Sequence, residues 1–349
     1  MPVRTIAFHV TDRCQLNCQH CLRDPALKAT DIDVAFVGRV LDEALTLFGP
    51  TEVSFTGGEP TLHPRFAELV DSAIARGNTW HFVSNGARFA KHVGLLATQP
   101  ERIERLSYAA FSLDGATSET HDEIRGAGSF DDVMRAASTA VALDIPFQLR
   151  MTPNRQNAHE IEAFAFLAAR LGATRVLYTG IQPTGTMHDR RLFLPFQDFR
   201  RIVDRVRSLN ETLTIPVEVD DGFVNDDPVY MCAPFSSDTL HFDPYGNMNL
   251  CCRFSGTPCG DADAPVKWSV DDVGVQGGHL GMLAEATRTL AYRVQAQREA
   301  SKDEWSRNAC TACFKLHGAP HWSSTGANGP AADRERWRGA WAPSTPATE

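Results

Sequence analysis

Nine cysteines fall into tight groups with a long empty interval between them. Cys14, Cys18 and Cys21 stand near the start, Cys232, Cys251, Cys252 and Cys259 form a second set, and Cys310 and Cys313 close the series. Scattered buried thiols do not cluster in this way, whereas thiolates brought together are characteristic of soft-metal or iron–sulfur ligation. Thiol placement therefore predicts two metal centres, one at each end of the chain. A small disulfide scaffold is excluded, because 349 residues with 43% hydrophobic and 22% charged content hold enough apolar mass for a sizeable core. With 34 basic against 43 acidic residues the net charge is −9, which argues against a general affinity for nucleic-acid phosphates or an anionic membrane. The N-terminus carries no signal-like apolar run and no stretch approaches membrane-spanning length, so the expected location is cytoplasmic.

Up to about residue 220, short apolar runs alternate with longer segments of helical periodicity, the sequence form of repeated βα units on a parallel sheet. Strands are expected over Thr5–Val10, Glu52–Thr56, Trp80–Ser84, Ala109–Leu113, Phe147–Met151 and Val176–Thr179. Helical spacing is carried by Asp33–Phe48, Arg65–Arg76, Ser129–Leu143 and Ala158–Leu171. Six strands fit a partial (βα)6 TIM-like barrel, an α/β fold, and two further repeats for a closed barrel are not found. After Asp220 the chain turns rich in Pro and Gly, with a hairpin expected around Asp243–Asn247 and one helix from about His279 to Ala300. The domain reading is thus a barrel over 1–220, a smaller domain over 221–322, and a surface or partly disordered tail over 323–349 with Trp337 and Trp341 as anchors.

The first three thiols lie on the loop that immediately follows the first strand, where barrel loops face an active site. Three thiolates satisfy three irons of a cubane and leave the fourth open to a ligand. A structural zinc site with His20 or His9 as fourth ligand uses the same residues. The CxxxCxxC spacing of Cys14, Cys18 and Cys21 resembles the radical S-adenosylmethionine (SAM) superfamily. Gly57-Gly58-Glu59-Pro60 after the second strand strengthens the resemblance, as do Ser84-Asn85-Gly86 and Ser112-Leu113-Asp114-Gly115 after the third and fourth.

That resemblance implies roles. Gly57, Gly58 and Glu59 would pack backbone and carboxylate against the SAM amino group, with Asn85 on the neighbouring loop. Ser112 would contact the ribose or carboxylate, Arg150 the carboxylate, and His20 and Ile181 the adenine. For Asp114 and Arg125, a turn and an ion pair compete with a direct role.

The interval from Cys232 through Gly246 to Cys251, followed by Cys310-Thr311-Ala312-Cys313, resembles the SPASM and twitch auxiliary-cluster extensions. It implies one auxiliary [4Fe-4S] cluster on Cys232, Cys251, Cys310 and Cys313, with Cys252 as a substitute for Cys251; four paired thiols also suit a zinc ribbon. Cys252 and Cys259 are left over, as bland thiols or as hydrogen-atom donors to a substrate radical.

The family's chemistry is reductive cleavage of SAM and hydrogen abstraction from a substrate in the barrel mouth. With the auxiliary cluster as electron acceptor the outcome is oxidation or crosslinking of a small polar metabolite, such as an amino sugar or cyclitol, or of a ribosomal peptide. A redox-neutral epimerase and a non-catalytic zinc-binding module are the competing readings. Flavodoxin or ferredoxin is the expected electron donor. Only 13 residues precede Cys14, so a peptide substrate calls for a separate delivery protein.

Overall fold

The computed structural model describes residues 3–23, 29–181, 192–220, 232, 238–255, 260–261, 264–265, 267–269, 279–300 and 308–317. Cys259 and the 323–349 tail with Trp337 and Trp341 lie outside them. Seven strands run parallel and in chain order: β1 (Thr5–Thr11), β2 (Glu52–Gly57), β3 (Thr79–Ser84), β4 (Leu106–Ser112), β5 (Phe147–Met151), β6 (Arg175–Tyr178) and β7 (Val217–Val219). All six expected strands are present within a few residues of their expected ends. The seventh, Val-Glu-Val, is too short to show an alternation in sequence.

Alternation of side chains across the pleat decides where the site can be. One face of the sheet carries Ile6, Phe8, Val53, Phe55, Trp80, Phe82, Phe111, Phe147 and Leu149, all buried under the helices. Phe8 stacks on Phe242 at 5.3 Å between ring centroids, and Trp80 on Phe82 at 5.6 Å. Each such side chain contributes roughly 1.5–3 kcal/mol by leaving water. The other face carries His9, Thr56, His81, Tyr108, Ser112 and Arg150 on the same strands. Polar residues there are compatible only with a lumen that receives a ligand or water.

The helix α1 (Val34–Phe48) shows how the covering layer is specified. Asp33 caps it by accepting from Ala35 N at 3.0 Å, and Gly49 at φ 78° ends it. Between them Phe36, Val37, Val40, Leu41 and Ala44 form one buried stripe. Further helices, α2 (Phe66–Ile74), α3 (Phe89–Leu96), α4 (Pro100–Glu104), α5 (Ser118–Arg125), α6 (Ser129–Ala142), α7 (Ile161–Leu171) and α8 (Phe196–Leu209), fill the connections between strands.

The expected break at residue 220 does not end the sheet. Strand β8 (Thr239–Phe242) pairs parallel to β1 on the side away from β2, and β9 (Asn247–Asn249) pairs antiparallel to β8 through the expected hairpin, with Gly246 at φ 86°. Lys267–Ser269 adds one more antiparallel strand at the edge. The sheet stays open between that edge and β7. Helices His279–Ala300 and Ala309–Leu316 follow, the first with the expected bounds. Among the described residues no helix is long and apolar enough to cross a membrane.

Buried histidines make this fold acid-sensitive. His121 is fully buried and its Nδ1 accepts from Asp114 N at 2.9 Å, so the neutral ring is the one that fits. Burial, reinforced by Arg125, pushes its pKa down to about 4. The unfolded chain takes up that proton near the ordinary value, so stability is complete above about pH 6.5 and falls as the pH drops toward 4, by about 3 kcal/mol for this group. Urea unfolding midpoints across this range are expected to show that loss, and His121→Gln should flatten it.

Candidate functional site

A cavity of about 310 Å³ opens at the carboxyl ends of the strands. Its wall includes Cys14, Cys18 and Cys21 from the β1 loop, Gly57 and Gly58 from the β2 loop, and Cys252 from the C-terminal segment. The placement of the first loop depends on those glycines. Gly58 N donates to Thr11 O and Glu59 N to Arg13 O, both at 2.7 Å. A Cβ on Gly57 would lie 2.4 Å from Thr11 O, and one on Gly58 2.3 Å from Arg13 O. Their freedom therefore serves the approach of two protein loops, and only side chains absent at both positions allow it.

Every sulfur of the trio meets an N–H donor. Leu16 N approaches Cys14 Sγ at 3.5 Å with Asn85 Nδ2 at 3.7 Å, Arg23 N approaches Cys21 Sγ at 3.4 Å, and Arg125 Nη1 approaches Cys18 Sγ at 3.8 Å. Gln15 Nε2 donates to Asn85 Oδ1 at 2.9 Å and Gln19 N to Ile124 O at 3.0 Å, which ties the loop to β3 and α5. Burial raises the Cys14 thiol and pushes Cys18 up to about 11, with Arg125 pulling Cys18 back. Such thiols lose their protons when a metal arrives.

Arg125 is anchored by Asp114, with Nε to Oδ2 at 2.5 Å, and both side chains are buried. Burial alone would raise the Asp114 carboxyl, but Arg125 and His20 overrule it and hold it below the usual range. The expected ion pair is present, and its Arg125 reaches Cys18. His20 borders the cavity; its Nε2 lies 3.3 Å from Asp114 Oδ2, while its Nδ1 is buried without a partner. That orphaned nitrogen, the three thiols and the glycine-floored cavity fit a bound cluster with a nucleoside-bearing ligand. Among the described residues no three His, Cys, Asp or Glu side chains converge on a point suited to a single ion.

Of the residues expected around SAM, His20, Gly57, Gly58, Asn85 and Ser112 line the cavity; Glu59, Arg150 and Ile181 do not. Glu59 is 1% exposed, and its carboxylate accepts from Thr61 Oγ1 at 2.6 Å, Asn85 N at 2.8 Å and Ser84 Oγ at 3.0 Å. Burial pushes it up against the pull of those donors. In this structure it brackets the β2 loop to the β3 loop, with no free oxygen turned to a ligand. Arg150 lies deeper, beside Tyr108, and Ile181 packs into the core.

Of the second thiol set, Cys232, Cys310 and Cys313 lie close enough to influence one another, and Cys252 acts on both Cys251 and Cys310. Cys232, Cys251 and Cys310 are half-buried against the core and Cys313 is buried. Burial pushes Cys310 up to about 12 and also raises Cys313, and each is raised further by Cys232. Arg253 Nη1 approaches Cys310 Sγ at 3.6 Å and its Nη2 pairs with Asp220. Cys251 packs inward, while Cys252, drawn toward its thiolate by Cys251, His241 and Arg253, faces the cavity. Asp12, His241, Tyr245 and Ser255, which carry no role in the sequence reading, also line it, as does His9, read there only as an alternative zinc ligand. His9 was legible through strand parity, because it shares a face with Ala7 and Thr11 on β1.

Residues 8–168 match the family described as the Radical SAM superfamily. Mycofactocin maturase MftC of Mycobacterium tuberculosis (strain H37Rv) is 34% identical over 186 residues, 52% of this chain and 45% of MftC. The PqqA peptide cyclase of Ruegeria pomeroyi is 31% identical over 200 residues, 56% of this chain and 51% of the cyclase. The chain spans about half the length of these curated relatives. Streptococcus suis SuiB bound to S-adenosylmethionine shares the fold, with a TM-score of 0.64 at 13% identity over 83% of this chain and 68% of SuiB.

If Glu59 is a bracket, Glu59→Gln places an NH2 against N–H and O–H donors. The variant is expected to lose about 2–3 kcal/mol of stability, read from urea unfolding of the metal-free protein. An unchanged midpoint would return Glu59 to a ligand-binding role.

Proposed function

Through residues 8–168 this chain belongs to the Radical SAM superfamily, and we propose that it oxidises or crosslinks a peptide natural-product precursor held in the cavity. The observation that carries the reading is the meeting of Cys14, Cys18 and Cys21 with His20, Gly57 and Gly58 on one cavity wall at the carboxyl ends of the strands. Cys14, Cys18 and Cys21 would hold a [4Fe-4S] cluster, and Cys232, Cys251, Cys310 and Cys313 an auxiliary one. When bound, the first cluster with SAM supplies a 5′-deoxyadenosyl radical able to take an unactivated hydrogen atom, and the second supplies an acceptor for a further electron.

The chain's own part is placement. Asn85, Leu16, Arg23 and Arg125 direct N–H groups at the cysteine sulfurs, and the buried Asp114 keeps Arg125 in position. His20 offers its unpaired Nδ1 to the nucleoside, and Ser112 a hydroxyl. The enclosing walls keep bulk water from a reactive intermediate. A peptide substrate is supported by the PqqA peptide cyclase among the relatives. Flavodoxin or ferredoxin would supply electrons and a separate protein would deliver the peptide.

Anaerobically reconstituted protein is expected to form deoxyadenosine from SAM and to lose this with Cys14, Cys18 and Cys21 replaced by Ser. Cys310→Ser should remove roughly half of the iron, as expected for two cubanes. In extracts of its producing cells, the product should be two hydrogens lighter than its precursor. The exposure of Cys252 to the cavity favours one second reading, epimerisation with Cys252 as hydrogen donor. In deuterated water that reaction would leave precursor mass unchanged except for one deuterium, and Cys252→Ala would abolish the incorporation.

The arginine contacts give a separate prediction. A cation and N–H donor beside a cluster sulfur stabilises the more negative, reduced state. Arg125→Gln is expected to make the N-terminal cluster's midpoint potential more negative, and Arg253→Gln the auxiliary cluster's, in potentiometric titrations followed by electron paramagnetic resonance.

A further inference from the structure

Four side chains from distant parts of the chain form a continuous hydrogen-bonded array on the cavity wall. Ser255 Oγ lies 2.7 Å from His9 Nδ1, and His9 Nε2 lies 3.0 Å from Asp12 Oδ1 and 3.1 Å from Thr11 O. The other Asp12 oxygen accepts from Tyr245 OH at 3.1 Å and Thr30 N at 3.3 Å. Ser255, His9, Asp12 and Tyr245 all border the cavity.

This network fixes the tautomer. Nε2 faces two acceptors, a carboxylate and a carbonyl, so it carries the ring proton. Nδ1 is left with its lone pair toward Ser255, whose hydroxyl therefore donates. We propose that Ser255, His9 and Asp12 form a hydroxyl–imidazole–carboxylate relay that accepts the substrate's proton during its oxidation. The ring runs opposite to the familiar serine hydrolase order, with Nδ1 toward the hydroxyl, but the logic is the same: a base behind a hydroxyl and a carboxylate fixing the base. Asp12 is the positioning residue; Ser255 and His9 are the groups that move the proton.

The inference rests on the oxidative reading above. A substrate carbon that has lost a hydrogen atom still has to lose one electron to become a double-bonded product. If that carbon bears an O–H or N–H, the heteroatom loses its proton as the single bond to carbon becomes double. The electron would go to an iron–sulfur acceptor, which Cys232, Cys251, Cys310 and Cys313 would hold. The proton goes to Ser255 Oγ while the Ser255 proton passes to His9 Nδ1, leaving an imidazolium that Asp12 stabilises. The substrate class is accordingly a C–H next to a hydroxyl or an N–H.

The relay is tested first without substrate. Full-length reconstituted protein treated with a fluorophosphonate should be modified at Ser255, identified by peptide mass spectrometry. His9→Gln should lower that labelling at least 10-fold, and Asp12→Asn should lower it less. In 15N-histidine spectra the pair of resonances lost in His9→Gln should show one protonated and one unprotonated nitrogen, and Ser255→Ala should move the unprotonated one. Labelling of Ser255 no faster than other exposed serines, or equal labelling in His9→Gln, would overturn the proposal. With producing-cell extract, Ser255→Ala and His9→Gln should each lower the yield of the lighter product about 100-fold, the scale of general-base catalysis; an undiminished yield in both would also overturn it. Failure of the wild-type enzyme to give any lighter product would instead remove the oxidative reading, and the labelling result would still decide the relay.

Discussion

The close approach of the Gly57–Gly58 backbone to Thr11 and Arg13 fixes where the first cysteine loop lies, and the rest of the site is built outward from that contact. Two main-chain hydrogen bonds of 2.7 Å and two missing Cβ atoms hold the loops together. Glu59, the next residue, turns away from the cavity and fastens the same strand end to Ser84 and Asn85 on β3. Asn85 then reaches back to Cys14. A tetrapeptide that reads as a ligand-binding motif is here also the clamp joining three strand ends, and the position of Cys14 is its product.

Much of this was legible because it is local. The short apolar runs of the strands, the spacing of three thiols on one loop and the helical spacing of Asp33–Phe48 are all properties of short windows. What escaped sequence reading depends on pairings between remote segments. The pairing of β8 with β1 joins residue 239 to residue 5, and no local pattern announces it. Glu59 reads as a partner for the SAM amino group because two of its donors, Ser84 and Asn85, lie 25 and 26 residues onward. His9 and Ser255, 246 residues apart, become neighbours only through that same addition of β8.

The two thiol groups share one electrostatic design. Arg125 reaches Cys18 and is held by Asp114; Arg253 reaches Cys310 and is held by Asp220. A buried guanidinium is costly unless paired, and a buried carboxylate likewise. Pairing them lets each arginine remain at the sulfur in a region where burial has raised the thiols themselves. The aspartate thereby fixes the distance between a cation and a sulfur, a quantity that a flexible surface arginine could not hold constant.

The C-terminal segment is therefore more than an attachment to a finished barrel. By extending the sheet beyond β1 it brings Tyr245, Cys252 and Ser255 to the cavity that Cys14, Cys18 and Cys21 also border. Cys251, from the same short stretch, packs against the core while Cys252 borders the chamber, so consecutive residues face two different environments. A group placed in that chamber would meet the first thiol trio, a hydroxyl backed by an imidazole and a thiol backed by an arginine.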